Sequence, residues 1–152
     1  WGPEWIFVVD SLSTLGTAAH DWAESMNPMA KEPRTWVNGA QRAIETYLAN
    51  LFADEFKTNV IVITHVRVSE NESGLSKGYA ASIGKSLGPI IPKYFNNMIL
   101  AESSGMGKNV KRVIRTFPTG VVDLKTSAPF AVDDNLPLES GLATLFAKLK
   151  GQ

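Results

Sequence analysis

The spacing of apolar and polar positions changes along the chain, and each change marks an element. Trp5, Ile6, Phe7, Val8 and Val9 form a continuous apolar run that stops at Asp10, Ser11 and Ser13. Such a run, with β-branched and aromatic members and a proline shortly before it, suits a parallel strand buried on both faces. Val60, Ile61, Val62 and Ile63 make a second run, closing in Thr64 and His65. Between the two, Leu12, Leu15, Ala18, Ala19, Trp22 and Met26 recur at helical spacing, although Gly16 makes a turn followed by a short helix an equal reading. Pro28 and Pro33 bound a loop. Thr35 can then cap a clearer helix whose stripe is Trp36, Ala40, Ile44, Tyr47, Leu48 and Leu51. Strand, helix, strand in this order predicts a right-handed crossover between parallel neighbours, which brings Asp10 and His65 to the same edge.

Further on, residues 66–82 turn polar and glycine-rich, as a mobile surface loop does. Residues 82–95 read as a short helix interrupted at Gly88 and Pro89, and 97–102 as a third strand. Alternation over 110–117 suggests a half-exposed antiparallel strand, and Pro118, Thr119 and Gly120 turn the chain into 121–125. The sheet is thus expected to finish in an antiparallel meander carrying Lys111, Arg112, Arg115 and Lys125, cations that a solvated strand face also carries. A linker over 131–137 leads to a last helix, 138–150, with Leu142, Leu145, Phe146 and Leu149 on one face. That helix is expected to cap the core or to dock on a neighbouring protomer.

Composition narrows the classes. The 152 residues are the size of one domain. Lys plus Arg and Asp plus Glu number fifteen each, so any nucleic-acid site has to be a local patch and not a global field. With no Cys there is no disulfide framework and no thiolate metal site, which fits a reducing compartment. No apolar run approaches the ~20 residues of a membrane span, and nothing resembles a signal peptide. A cytoplasmic protein is expected, and since the chain opens on Trp and not Met, a piece of something longer. Two His and no Cys leave little for metal chemistry.

The candidate chemistry sits at the two strand ends. An acid at the C-terminal end of a buried strand lies where open α/β sheets bind ligands, and it has the layout of a Walker B element, whose Asp holds Mg²⁺. An N-cap for the following helix is the alternative use of the same residues. Two glycine motifs fail on spacing. Gly78 to Ser86 nearly spells GxxxxGK[ST], but its glycines are one residue too far apart and a polar loop precedes it. Gly107-Lys108 has Glu102 where the first glycine belongs and Asn109 after the lysine. His20 and Asp21 read as two exposed polar residues more readily than as a catalytic pair.

The segment VVDSLSTLG, a helix and then VIVITHV together resemble the Walker B strand and the γ-phosphate-sensing strand of the RecA-like P-loop ATPases. Within these they are most similar to the small phage-encoded AAA-type ATP-binding proteins of single-strand annealing and recombination. The likeness runs from about Trp5 to Phe146, and its specific part is the two strand ends. It implies an α/β fold: a RecA-like core with a mainly parallel sheet, flanking helices and a C-terminal antiparallel meander, lacking its N-terminal P-loop strand. It implies ATP and Mg²⁺ as cofactors, a homo-oligomer, single-stranded DNA as a partner, and the host cytoplasm as location if phage-encoded. Asp10 would hold the Mg²⁺, Ser11 or Ser13 would support it, and Thr64 with His65 would hydrogen-bond the γ-phosphate or the attacking water. Lys125 would reach the ATP of a neighbouring subunit. Arg67, Lys77 and Tyr79, in the loop after the sensor, would pair phosphates and stack bases.

The glycine-loop cradle with its Lys is the largest contributor to such chemistry, and this chain lacks it. The residue after Asp10 is Ser and not Glu, so the base for the attacking water is missing as well. The 152 residues are therefore expected to bind ATP poorly, with turnover only when the missing segment is supplied, and the Val60–Ile63 strand is expected to carry an unpaired apolar edge. The alternative is a non-catalytic single-stranded-DNA-binding module, or a structural phage component that keeps the ATPase fold.

Overall fold

The computed structural model describes residues 2–70 and 73–151. Asn71 and Glu72, expected in the polar loop, lie outside the described residues. The chain divides into two compact units, residues 1–68 with 79–94, and residues 69–78 with 95–152.

In the first unit, β1 (Ile6–Asp10) pairs in parallel with β2 (Asn59–Ile63), in a register that sets Ile6 opposite Asn59 and Asp10 opposite Ile63. Two antiparallel neighbours, α1 (Leu12–Met26) and α2 (Pro33–Leu51), form the connection and pack against each other. Both exist because the apolar spacing works: Leu12 and Ala23 of α1 and Ala40, Ile44, Leu48 and Leu51 of α2 are buried, the latter repeating every three or four residues along one stripe. Leu87 and Ile91, from the segment that returns after β2, are buried too. Gly16 does not break α1. A Cβ there would meet the Ile83 backbone nitrogen at 3.0 Å and the Ser82 hydroxyl at 3.2 Å, so the glycine is where another backbone passes. Thr35 is not the cap of α2, which starts at Pro33 after Glu32.

The expected RecA-like core with a mainly parallel sheet is overturned. Among the strands of the described residues, β1 and β2 alone pair in parallel. A second two-stranded sheet joins β3 (Val66–Glu70) and β4 (Ser76–Ala80), where a loop was expected. The third sheet is antiparallel in the order β5 (Leu100–Ser104), β6 (Lys111–Arg115), β7 (Asn135–Pro137). The physical reason lies in the connections. A parallel return needs a crossover of a dozen or more residues, whereas β5 and β6 are joined by a short glycine-bearing turn that permits only a hairpin.

β1 is not buried on both faces either. It alternates exposed and half-buried, with Ile6 and Val8 on the open side and Phe7 and Val9 on the covered one. Phe7 meets Phe56 edge-on, ring centroids 6.0 Å apart.

The second unit is built on β5, β6, β7 and α3 (Leu138–Leu149). Its core is Ile114 of β6, Val132, Leu136 of β7 and Leu145 of α3, with Ile99, Ala128 and Leu149 packed against them. Gly141 lets α3 lie close: a Cβ there would sit 2.8 Å from Ile114 Cδ1 and 3.1 Å from Leu136 Cβ. Thr116 is fully buried and its hydroxyl donates to the Asp133 carbonyl at 2.7 Å. Residues 121–125 do not form the expected strand and contribute single bridges, Val122 to Gly78 and Lys125 to Met98. The expected helix over 82–95 reduces to turns and a short 3-10 helix, Ile91–Tyr94. No helix among the described residues is long and apolar enough to cross a membrane.

Candidate functional site

The parallel register fixes one edge. Asp10 ends β1 opposite Ile63, and Thr64 and His65 follow Ile63 directly, so the acid and the imidazole-bearing residue leave the sheet at the same end. Paired residues share a face, so the Asp10 side chain stands on the open side with Ile6 and Val8. Its carboxylate is exposed and has no hydrogen-bond or ion-pair partner among the described residues. The Asp10–Ser11 peptide bond is cis.

Ser11 and Ser13 divide two jobs. Ser11 is buried and caps α1, its Oγ accepting from the Thr14 backbone N–H at 3.3 Å and lying 3.2 Å from the Thr14 hydroxyl. That satisfies one of the orphan donors of the first turn, so Ser11 is committed to the helix. Ser13, two residues on, reaches across to the other strand end. The His65 backbone N–H donates to Ser13 Oγ at 3.2 Å, and Ser13 Oγ donates to the Ala81 carbonyl at 3.0 Å. Thr64 Oγ1 donates to the same carbonyl at 2.7 Å and lies 3.3 Å from Ser13 Oγ. The Ala81 N–H completes the set by donating to the His65 carbonyl at 2.8 Å. Three segments, the start of α1, the end of β2 and the residue after β4, are thereby clasped at the edge where Asp10 lies. Ser13 was a secondary candidate in the sequence; Ala81 had no signal at all, because it acts through its backbone.

The clasp limits the chemistry. A hydroxyl has one proton: Ser13 has the Ala81 carbonyl as acceptor, and Thr64 has the Ala81 carbonyl at 2.7 Å and the His65 carbonyl at 3.2 Å. While these bonds hold, the two hydroxyls can only accept from a ligand. The His65 ring is exposed and makes no hydrogen bond among the described residues, so its N–H can donate. Asp10 can offer oxygen to a hard cation, and Mg²⁺ is commonly held by one or two carboxylates together with phosphate oxygens and water. The residues fit that single contact. They do not form a cage, since no group of three or more His, Cys, Asp or Glu that could hold a metal occurs among the described residues.

The remaining sequence candidates lie elsewhere. Lys125 belongs to the second unit, where its backbone pairs with Met98 (2.7 and 3.2 Å) and its side chain is exposed. Of the loop candidates, Arg67 donates to the Gly84 carbonyl at 2.8 Å. Tyr79 is half-buried, with Gly88 so close that a Cβ there would lie 3.1 Å from the Tyr79 Cβ. Lys77, in the second unit, is held by Asp123 at 2.8 and 2.9 Å to its two oxygens. Each of the three thus has an intramolecular occupation, and they are divided between the units. His20 and Asp21 approach to 3.9 Å on the surface of α1, with the His20 ring edge-on to Trp36. The segment 78–86 begins inside β4 and ends in turns, not in a helix, as the rejection of its glycine motif requires.

Compared with described protein families, with curated proteins and with solved structures, the chain matches none.

Proposed function

We propose that the chain supplies the metal-binding and γ-phosphate-facing edge of an ATP site, in a protein of recombination or single-strand-annealing type. The observation that carries this is the parallel register of β1 and β2, which brings Asp10 and, two residues past the end of β2, His65 to the same edge, neither side chain with a hydrogen-bond partner among the described residues. Bound Mg²⁺ would supply charge neutralisation between the phosphates. Asp10 would give it one oxygen ligand. His65 would donate from a ring nitrogen to a phosphate oxygen, and Ser13, by holding the His65 backbone N–H, would fix where that ring starts from. Ser11 would act only through the cap of α1, whose N-terminus carries the positive end of the helix dipole.

Thr64 has a conditional part. To donate to phosphate it has to release the Ala81 carbonyl, so phosphate contact at Thr64 would loosen the hold on Ala81 and leave it to Ser13 Oγ and the His65 carbonyl. This would give the site a way to report occupancy to the residues around β4.

No glycine-loop cradle occurs in these 152 residues, so under this reading the bulk of the phosphate contacts comes from another segment or chain. Calorimetric titration with Mg·ATP tests the reading. The expected result is weak binding, in the millimolar range, abolished by Asp10→Asn and reduced by His65→Ala. Micromolar affinity in the chain alone, or affinity indifferent to Asp10→Asn, would contradict it.

A further inference from the structure

Ten consecutive residues, 103–112, are exposed, and they carry Lys108, Lys111 and Arg112 with no acidic residue among them. They are the outer part of the β5–β6 hairpin. The register pairs Ser104 with Lys111 and Ser103 with Arg112, while β7 begins its pairing only at Val113. The ribbon therefore extends beyond the three-stranded sheet, with neither edge paired among the described residues. Its turn is made by Gly105 and Gly107, at φ +90° and +57°, and Gly105 lies against the Asn109 carbonyl, so neither accepts a side chain readily.

The charges on this ribbon are unspent. Arg115, at the base of the hairpin, is paired with Glu102, and Lys77 with Asp123, yet Lys108, Lys111 and Arg112 have no ion-pair partner among the described residues. Neighbouring strand residues point to opposite faces, so Lys111 and Arg112 present charge on both sides of the ribbon and Lys108 presents it at the turn. The small polar side chains of Ser103, Ser104 and Asn109 add hydrogen-bonding groups of little bulk.

We propose that the β5–β6 ribbon is a docking element for duplex DNA, with Lys108, Lys111 and Arg112 on backbone phosphates. The major groove of B-DNA admits a two-stranded ribbon and flanks it with a phosphate strand on each side, which matches charge on two faces and a tip. Single-stranded partners are held by aromatic stacking as well as charge, and residues 103–112 contain no aromatic. A chain of zero net charge has no long-range attraction for a polyanion, so binding has to reside in such a local patch. This inference is independent of the nucleotide reading, and its test contains no nucleotide.

Fluorescence anisotropy of a labelled B-DNA duplex of mixed sequence, titrated with the full chain at several salt concentrations, gives the decisive slope. Three phosphate contacts correspond to a slope contribution of about 2.7 in log affinity against log salt, or roughly a fortyfold change between 50 and 200 mM. The triple variant Lys108→Gln, Lys111→Gln, Arg112→Gln, with its circular dichroism unchanged, is expected to lose that contribution. Lys77→Gln is expected to keep it. Absence of duplex binding by the wild-type chain, an unchanged slope in the triple variant, tighter binding of a single strand of equal length, or retention by anionic phosphatidylserine vesicles in preference to the duplex would each overturn the proposal.

Discussion

Ser13 is the residue on which the strand-end arrangement turns. Its oxygen accepts from the His65 N–H and its proton goes to the Ala81 carbonyl, so one small side chain ties the helix after β1 to the second residue after β2. Removing it leaves the His65 amide without its acceptor and Ala81 with one hydroxyl donor in place of two. Ser13→Ala is expected to lower stability by about 1–2 kcal/mol in urea unfolding and to speed hydrogen exchange of the His65 amide. Unchanged exchange there would mean that the clasp is not closed in solution. At this scale the sequence was informative about polarity and silent about partners. A carboxylate, two serines, a threonine and a histidine at strand ends were visible as a group. Which serine caps α1 and which crosses to β2 depends on the turn between strand and helix, and the part of Ala81 is carried by its main chain, which no residue type advertises.

Elements were legible where a periodic apolar stripe decides them. The second helix between the parallel strands and the last helix follow from Ile44, Leu48, Leu145 and their neighbours falling on one face, whereas Gly16 left the first open between a helix and a turn. Beyond the first two strands, pairing was legible only in part. The expected antiparallel meander holds for β5 and β6 but not for 121–125, which give single bridges and no strand. The short β7 is hidden between Val132 and α3 because three residues, one of them a proline, resemble a linker. Burial of β1 was overread for a related reason: a continuous apolar run does not say whether a second layer exists. Ile6 and Val8 are 48% and 51% exposed and Ile63 45%, so one face of the parallel pair offers water an apolar surface next to Asp10. Such a face, with unpaired edges beside it, favours self-association. Sedimentation velocity is expected to show concentration-dependent association that the double variant Ile6→Thr, Val8→Thr reduces while keeping the β-branched side chains that suit a strand. Identical sedimentation of both proteins would show that the face is not what brings copies together.

For the whole molecule, the division of contacts into two units carries its own expectation. The second unit rests on one small core, Ile114, Val132, Leu136 and Leu145, so Leu145→Ala is expected to cost about 2–5 kcal/mol there. Native-state hydrogen exchange is expected to report that loss in the amides of β5, β6 and α3 and much less in those of α1 and α2, since local stability follows cooperative units. Equal loss in both would make the molecule one cooperative body. The first unit holds the strand-end site, and a paramagnetic ion tests it most directly. With Mn·ATP replacing Mg·ATP, amide resonances of Asp10, Ser11, Leu12 and Ser13 and of Thr64 and His65 are predicted to broaden first, and Asp10→Asn is predicted to abolish the effect. Broadening centred on residues outside that edge, or persisting undiminished in Asp10→Asn, would contradict the assignment.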